Sequence, residues 1–177
     1  MIVKENHNII LIGFMGSGKT SVGELLAKRL SYQFKDTDQM IERKAGETIN
    51  HIFQLKGEEY FRDMESSLLT ELQSELHHAV LSTGGGLPLR EQNARLLKKL
   101  GYVVYLKASK ETTIKRLEGD TTRPLLRGED LAHRVERMLN TRTPYYEKAA
   151  HKVVATDHKS IEDIVTIIME AYMRNLS

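Results

Sequence analysis

Apolar residues along the chain follow two alternating rhythms. Four short runs, Asn8-Ile-Ile-Leu-Ile12, Ala79-Val-Leu-Ser82, Tyr102-Val-Val-Tyr-Leu106 and Lys152-Val-Val-Ala155, are β-rich and nearly continuous in apolar character. That is the pattern of strands covered on both faces. Tyr32-Gln-Phe-Lys35 is a weaker fifth. Between them, Val22, Leu25, Leu26 and Leu30 recur at helical spacing, and Ile161, Ile164, Val165, Ile168 and Tyr172 repeat the stripe near the C-terminus. Ser160 followed by Asp163 is a helix-start signal for that last segment. The order reads strand then helix, five times over. It predicts a three-layer α/β/α fold around a central five-stranded parallel sheet.

One segment breaks the rhythm. Glu118 to Asp130 holds two glycines, one proline and six charged residues around Leu125 and Leu126, and is expected to be an exposed, functional lid. At 177 residues, the chain fits a single domain over 1–177. The longest apolar stretch, around Ile9 to Met15, is far below the roughly 20 residues a membrane helix needs. The first eight residues lack the basic-then-apolar pattern of a signal peptide, so a cytoplasmic location without membrane association is expected. With no cysteine, disulfides, thiolate catalysis and cysteine zinc sites are excluded. Twenty-six basic and 24 acidic residues are interspersed, which argues against a nucleic-acid partner. A monomer acting on small molecules is expected.

The strongest chemical signal lies between the first strand and the first helix. Gly13-Phe-Met-Gly-Ser-Gly18-Lys19-Thr20 matches the phosphate-loop pattern G-x-x-x-x-G-K-[ST] in the strand-before, helix-after context that pattern requires. Its glycines let successive N–H groups face a phosphate, Lys19 reaches the terminal phosphates, and the Thr20 hydroxyl can ligate Mg²⁺. Gly16, Ser17, Gly18, Lys19, Thr20 and the adjoining Ser21 are therefore the predicted core of an ATP site.

Asp36-Thr37-Asp38 follows the second strand, where alternation along an extended chain would put both carboxylates on one side of the strand end. Asp36 is a candidate Mg²⁺ ligand, through water, and Asp38 a candidate to orient an acceptor hydroxyl; helix capping is the alternative for either. Ser82-Thr83-Gly84-Gly85-Gly86 follows the third strand, where backbone amides could approach a second ligand. Arg62 shares a helix face with Leu69 and Leu72, and Arg142 one with Leu131, Val135 and Met138. Each is thus directed inward, toward an anion or toward an internal ion pair such as Arg62 with Glu58 or Glu65. Arg116 and Arg123 flank and lie in the expected lid and could reach ATP when it closes.

These motifs, taken in order, resemble those of the shikimate kinase family over nearly the whole chain. Gly13 to Thr20 is similar to its phosphate loop, Asp36-Thr-Asp38 to its Asp-x-Asp, and Gly57-Glu58-Glu-Tyr-Phe61-Arg62-Asp-Met-Glu65 to its Gly-Glu-x-x-Phe-Arg-x-x-Glu helix. Ser82 to Gly86, Arg123-Pro-Leu-Leu126 and Arg142-Thr-Pro-Tyr-Tyr146 complete the set. The resemblance implies phosphoryl transfer from MgATP to the 3-hydroxyl of shikimate, giving shikimate 3-phosphate and ADP in aromatic amino acid biosynthesis. It implies that Asp38 binds the acceptor hydroxyls, that Arg62 and Arg142 hold its carboxylate, and that Gly84, Gly85 and Gly86 close that pocket, within an acceptor region of about 37–65. It also implies that Arg123 is the lid arginine on the transferring phosphate, Arg116 the adenine-stacking one, and Thr156 to Lys159 the opposite adenine wall. Many members have a proline near that last loop, and this sequence has none there.

On the physical reading, Lys19, Arg123 and Mg²⁺ stabilise charge on the moving phosphoryl group, with Asp38 mainly orienting its acceptor. The rivals are a gluconate or nucleoside monophosphate kinase of the same architecture, and a nucleotide-binding regulator without catalysis.

Overall fold

A computed structural model describes residues 7–118 and 130–177. Five strands, β1 (Asn8–Ile12), β2 (Gln33–Asp36), β3 (Ala79–Ser82), β4 (Tyr102–Lys107) and β5 (Lys152–Ala155), form one sheet in the order β2-β3-β1-β4-β5. Every pairing is parallel, with β1 central between β3 and β4. The helices are α1 (Lys19–Leu30), α2 (Thr37–Ala45), α3 (Ile49–Glu75), α4 (Glu91–Leu100), α5 (Lys110–Leu117), α6 (Leu131–Ala149) and α7 (Ile161–Leu176). A short 3-10 turn, Leu87–Leu89, follows the triple glycine.

The alternation of β1 sorts the layers. Ile9 and Leu11 pack with Val22 and Leu26 of α1 and Ile164, Val165 and Ile168 of α7. Ile10 and Ile12 face the other way, into a core shared with Ile41, Leu69, Leu97 and Val135 from α2, α3, α4 and α6. This is the expected three-layer arrangement, and β1, β3 and β5 run over the residues that the sequence pattern predicts. The simple strand–helix alternation needs correction, because two helices separate β2 from β3 and, among the described residues, two lie between β4 and β5. The strand expected over 32–35 lies one residue later, at Gln33–Asp36. As a sheet edge it is only partly covered, so its apolar signal is weak.

Asn8 fixes the start of β1. Its buried amide donates to the Leu76 and Leu100 carbonyl oxygens at 2.9 and 3.0 Å, and its oxygen accepts from the Ala79 N–H at 3.1 Å. The Ser160–Asp163 capping box at the start of α7 is formed as its spacing predicts. No described helix is long and apolar enough to cross a membrane.

Candidate active site

Parallel strands point their C-terminal ends at one crevice, and the chemistry-bearing loops follow those ends. They line a cavity of about 570 Å³ that brings together Gly16, Gly18, Lys19, Thr20, Ser21, Asp36, Asp38, Arg62, Gly84, Gly85, Gly86 and Arg142. These belong to separate stretches of the chain. Ser17, predicted with them, is buried and does not line the cavity.

The phosphate loop owes its shape to glycine at positive φ, with Gly16 at 75° and Gly18 at 93°. Gly18 caps α1 without a side-chain hydrogen bond, so the first-turn N–H groups have no capping side chain. Lys19 Nζ donates to the Gly13 and Phe14 carbonyl oxygens at 2.8 and 3.0 Å, holding the ammonium over the loop. Arg116, at the end of α5, lies outside the cavity and donates to the Gly16 carbonyl oxygen at 3.0 Å. Arg123 and most of the 118–130 lid lie outside the described residues.

The geometry of Asp36 and Asp38 corrects the alternation argument. The extended backbone ends at Asp36, which caps α2 by accepting from the Gln39 N–H at 3.1 Å, and Asp38 sits in the first helical turn. Both carboxylates still line the cavity. They arrive there through a strand-to-helix turn and not through strand periodicity. Thr37 between them is buried, and its hydroxyl oxygen accepts from the Gly84 N–H at 3.0 Å, tying the loop after β2 to the loop after β3.

Arg62 is both inward-facing and ion-paired. Its guanidinium donates to Glu65 at 2.7 Å and to Glu58 at 3.1 Å. Burial works against its charge, yet these carboxylates outweigh that and hold its pKa above the usual guanidinium range. Arg142 is 7 % exposed, with its guanidinium 5.7 Å over the Phe14 ring. Gly57, at φ 85°, breaks α3 five residues before Arg62, so the helix that carries Arg62 starts in a new direction.

Glu65 is the ion-pair partner of Arg62 that helical spacing predicts, and it is also a cavity-lining residue. It is completely buried, and its Oε1 accepts no hydrogen bond among the described residues. Burial raises its pKa to about 7, with Arg62 opposing the rise and nearby Asp38 adding to it. The available signal was its spacing, three residues after Arg62 on one helix.

The triple glycine is a steric requirement. A Cβ on Gly84 would fall 2.7 Å from Glu65 Oε1 and 2.8 Å from Asp38 Oδ1. One on Gly86 would fall 2.3 Å from the Arg62 guanidinium carbon. The loop thus packs bare backbone against the two acids and the arginine.

On the far side, Asp157 in the loop after β5 accepts from the Ser109 N–H at 3.1 Å and from the hydroxyls of Ser109 and Thr112. These bonds hold its pKa down at about 2 and pin the 156–159 loop to the start of α5.

The shikimate kinase family model matches residues 15–173. The shikimate kinase of Thioalkalivibrio sulfidiphilus is 44 % identical over 171 residues, covering 97 % of this chain and 90 % of that protein. That of Symbiobacterium thermophilum is 43 % identical over 165 residues, covering 92 % and 94 %. The solved shikimate kinase from Acinetobacter baumannii, in complex with shikimate, superposes with a TM-score of 0.90 at 40 % identity, covering 96 % of this chain and 94 % of that one. With its phosphate loop, paired arginines and glycine-lined pocket in one cavity, this chain belongs to the shikimate kinase family of ATP-dependent kinases.

Proposed function

We propose that the cavity transfers the γ-phosphoryl group of ATP to the 3-hydroxyl of shikimate, with its two ends serving the two substrates. The observation that carries this reading is the meeting of Lys19 and the phosphate loop with Asp38, Arg62, Arg142 and Gly84 to Gly86 in one cavity. ATP phosphates lie along the N–H groups of Gly16 to Ser21, with Lys19 at the terminal phosphate. Arg62 and Arg142 form a cationic end suited to the acceptor carboxylate, since planar guanidinium groups bind carboxylates with paired donors. Asp38 then accepts from an acceptor hydroxyl and aims it at the phosphoryl group.

The Thr20 hydroxyl and the Asp36 carboxylate are hard oxygen donors among the residues lining the cavity, which fits Mg²⁺. Among the described residues no group of three or more acidic or histidine side chains could hold a metal, in keeping with an ion held largely by nucleotide phosphates. When bound, Mg²⁺ supplies charge neutralisation at the phosphates. Arg116 is assigned to the adenine side, Arg123 to the transferring phosphate, and residues 118–130 to the lid that excludes water.

ADP release by the purified protein with MgATP tests the reading, comparing no acceptor, shikimate, gluconate and nucleoside monophosphates. Release with shikimate alone is expected. Release with gluconate or a nucleotide would leave the phosphate loop standing and overturn the roles of Asp38, Arg62 and Arg142. Release without any acceptor would overturn the kinase assignment to a small alcohol.

A further inference from the structure

The glycine loop has no side chains of its own to hold it, so its shape depends on what its backbone bonds to. On one side the Gly84 N–H donates to the Thr37 hydroxyl oxygen at 3.0 Å. On the other, the Tyr146 hydroxyl donates to the Gly85 carbonyl oxygen at 2.6 Å, across 61 residues of sequence. Tyr146 sits one helical turn after Arg142 on α6, is completely buried, and rests its ring against Tyr105 of β4 at 5.1 Å. Its hydroxyl is thus delivered by the same helix that delivers Arg142.

In a trans peptide the N–H points opposite to the C=O. Fixing the Gly85 carbonyl toward α6 therefore turns the Gly86 N–H away from α6, in a glycine that lines the cavity and whose Cα leaves no room for a side chain beside the Arg62 guanidinium. We propose that Tyr146 is a positioning residue of the acceptor pocket, its hydroxyl holding the Gly85–Gly86 peptide in place so that the bare-backbone wall of the pocket keeps its shape beside Arg62 and Arg142. The proposal rests on the acceptor-pocket reading above. Burial pushes the phenol up to about 12, so it remains a proton donor across the neutral range.

Tyr146→Phe removes one oxygen and keeps the ring. The shikimate KM is expected to rise about tenfold while the ATP KM stays within about twofold. Saturating shikimate should raise the variant's Tm much less than it raises that of the unmodified protein, while MgADP raises both alike. Each protein is compared with itself, so a general loss of stability does not mimic the result. Equal rises in both KM values, or unchanged shikimate effects, would overturn the positioning role. Arg142→Ala, measured alongside, separates the two readings. If it raises the shikimate KM and Tyr146→Phe does not, the positioning role falls and the pocket stands; if neither does, both fall. A second measurement needs no substitution. In the protein labelled with ¹⁵N-glycine, the Gly86 amide signal should move when shikimate is added, and an unmoved signal would overturn the proposal even if Tyr146→Phe failed to fold.

Discussion

Gly86 and Arg62 share space that only one side chain can fill: a Cβ on Gly86 would lie 2.3 Å from the guanidinium carbon of Arg62. Gly86 itself has an ordinary backbone, with φ −91°, so alanine there is unstrained in the chain. The atom in the way is the end of a long side chain, which can shift without unfolding the protein. Gly86→Ala should therefore leave a folded enzyme with Arg62 displaced from Glu65 and Glu58. The expected result is a shikimate KM at least about tenfold higher with the ATP KM nearly constant, measured by steady-state kinetics.

Lys19→Ala removes an ammonium held over the phosphate loop. A preorganised charge at the transferring group is worth about 3 kcal/mol or more, so kcat should fall by on the order of 100-fold or further. Single-turnover ADP formation would detect this, and an unchanged rate would remove the loop from the chemistry.

Glu65 makes stability depend on pH in a direction opposite to most carboxylates. Its pKa is raised from 4.5 unfolded to about 7 folded, chiefly by burial. Between those values the folded state binds more protons than the unfolded state, so stability falls as pH rises from about 4.5 to 7. Glu65→Gln should flatten that part of a Tm-against-pH curve. If the slope survives in the variant, another group is responsible.

Asp157 behaves in the ordinary direction. Its folded pKa, about 2 against 3.8, reflects the Thr112 and Ser109 hydroxyls and the Ser109 N–H. Its contribution is present above pH 3.8 and is lost as pH falls toward 2. It is small, because the carboxylate is partly solvated. Asp157→Asn should lower Tm by about a few degrees at neutral pH, and should raise the ATP KM more than the shikimate KM, because α5 carries Arg116 over the phosphate loop.

Much of this was legible along the chain. The strand, the glycine turn and the helix around Gly13 to Thr20 are contiguous, so one local pattern specifies both backbone and chemistry. Arg62 and Arg142 were visible because each falls on its helix's apolar stripe. Asp36 and Asp38 were found by an argument the structure corrects, since the chain turns helical at Thr37 before strand alternation can act. Glu65 was visible as an ion-pair candidate three residues after Arg62, whereas Tyr146 stood in the Arg142-Thr-Pro-Tyr-Tyr146 motif with nothing to show that its hydroxyl reaches Gly85.

The sequence by itself determined the layers, the parallel sheet and the identity of the phosphate loop, because hydrophobic periodicity and glycine conformation act over a few residues. Tertiary structure decided the rest. The strand order β2-β3-β1-β4-β5 brings Asp38, Arg62, Gly86 and Arg142 to one cavity, and no local period encodes which strands become neighbours. Burial, which exists only in the assembled core, sets the proton on Glu65 and keeps the Tyr146 hydroxyl as a donor to Gly85.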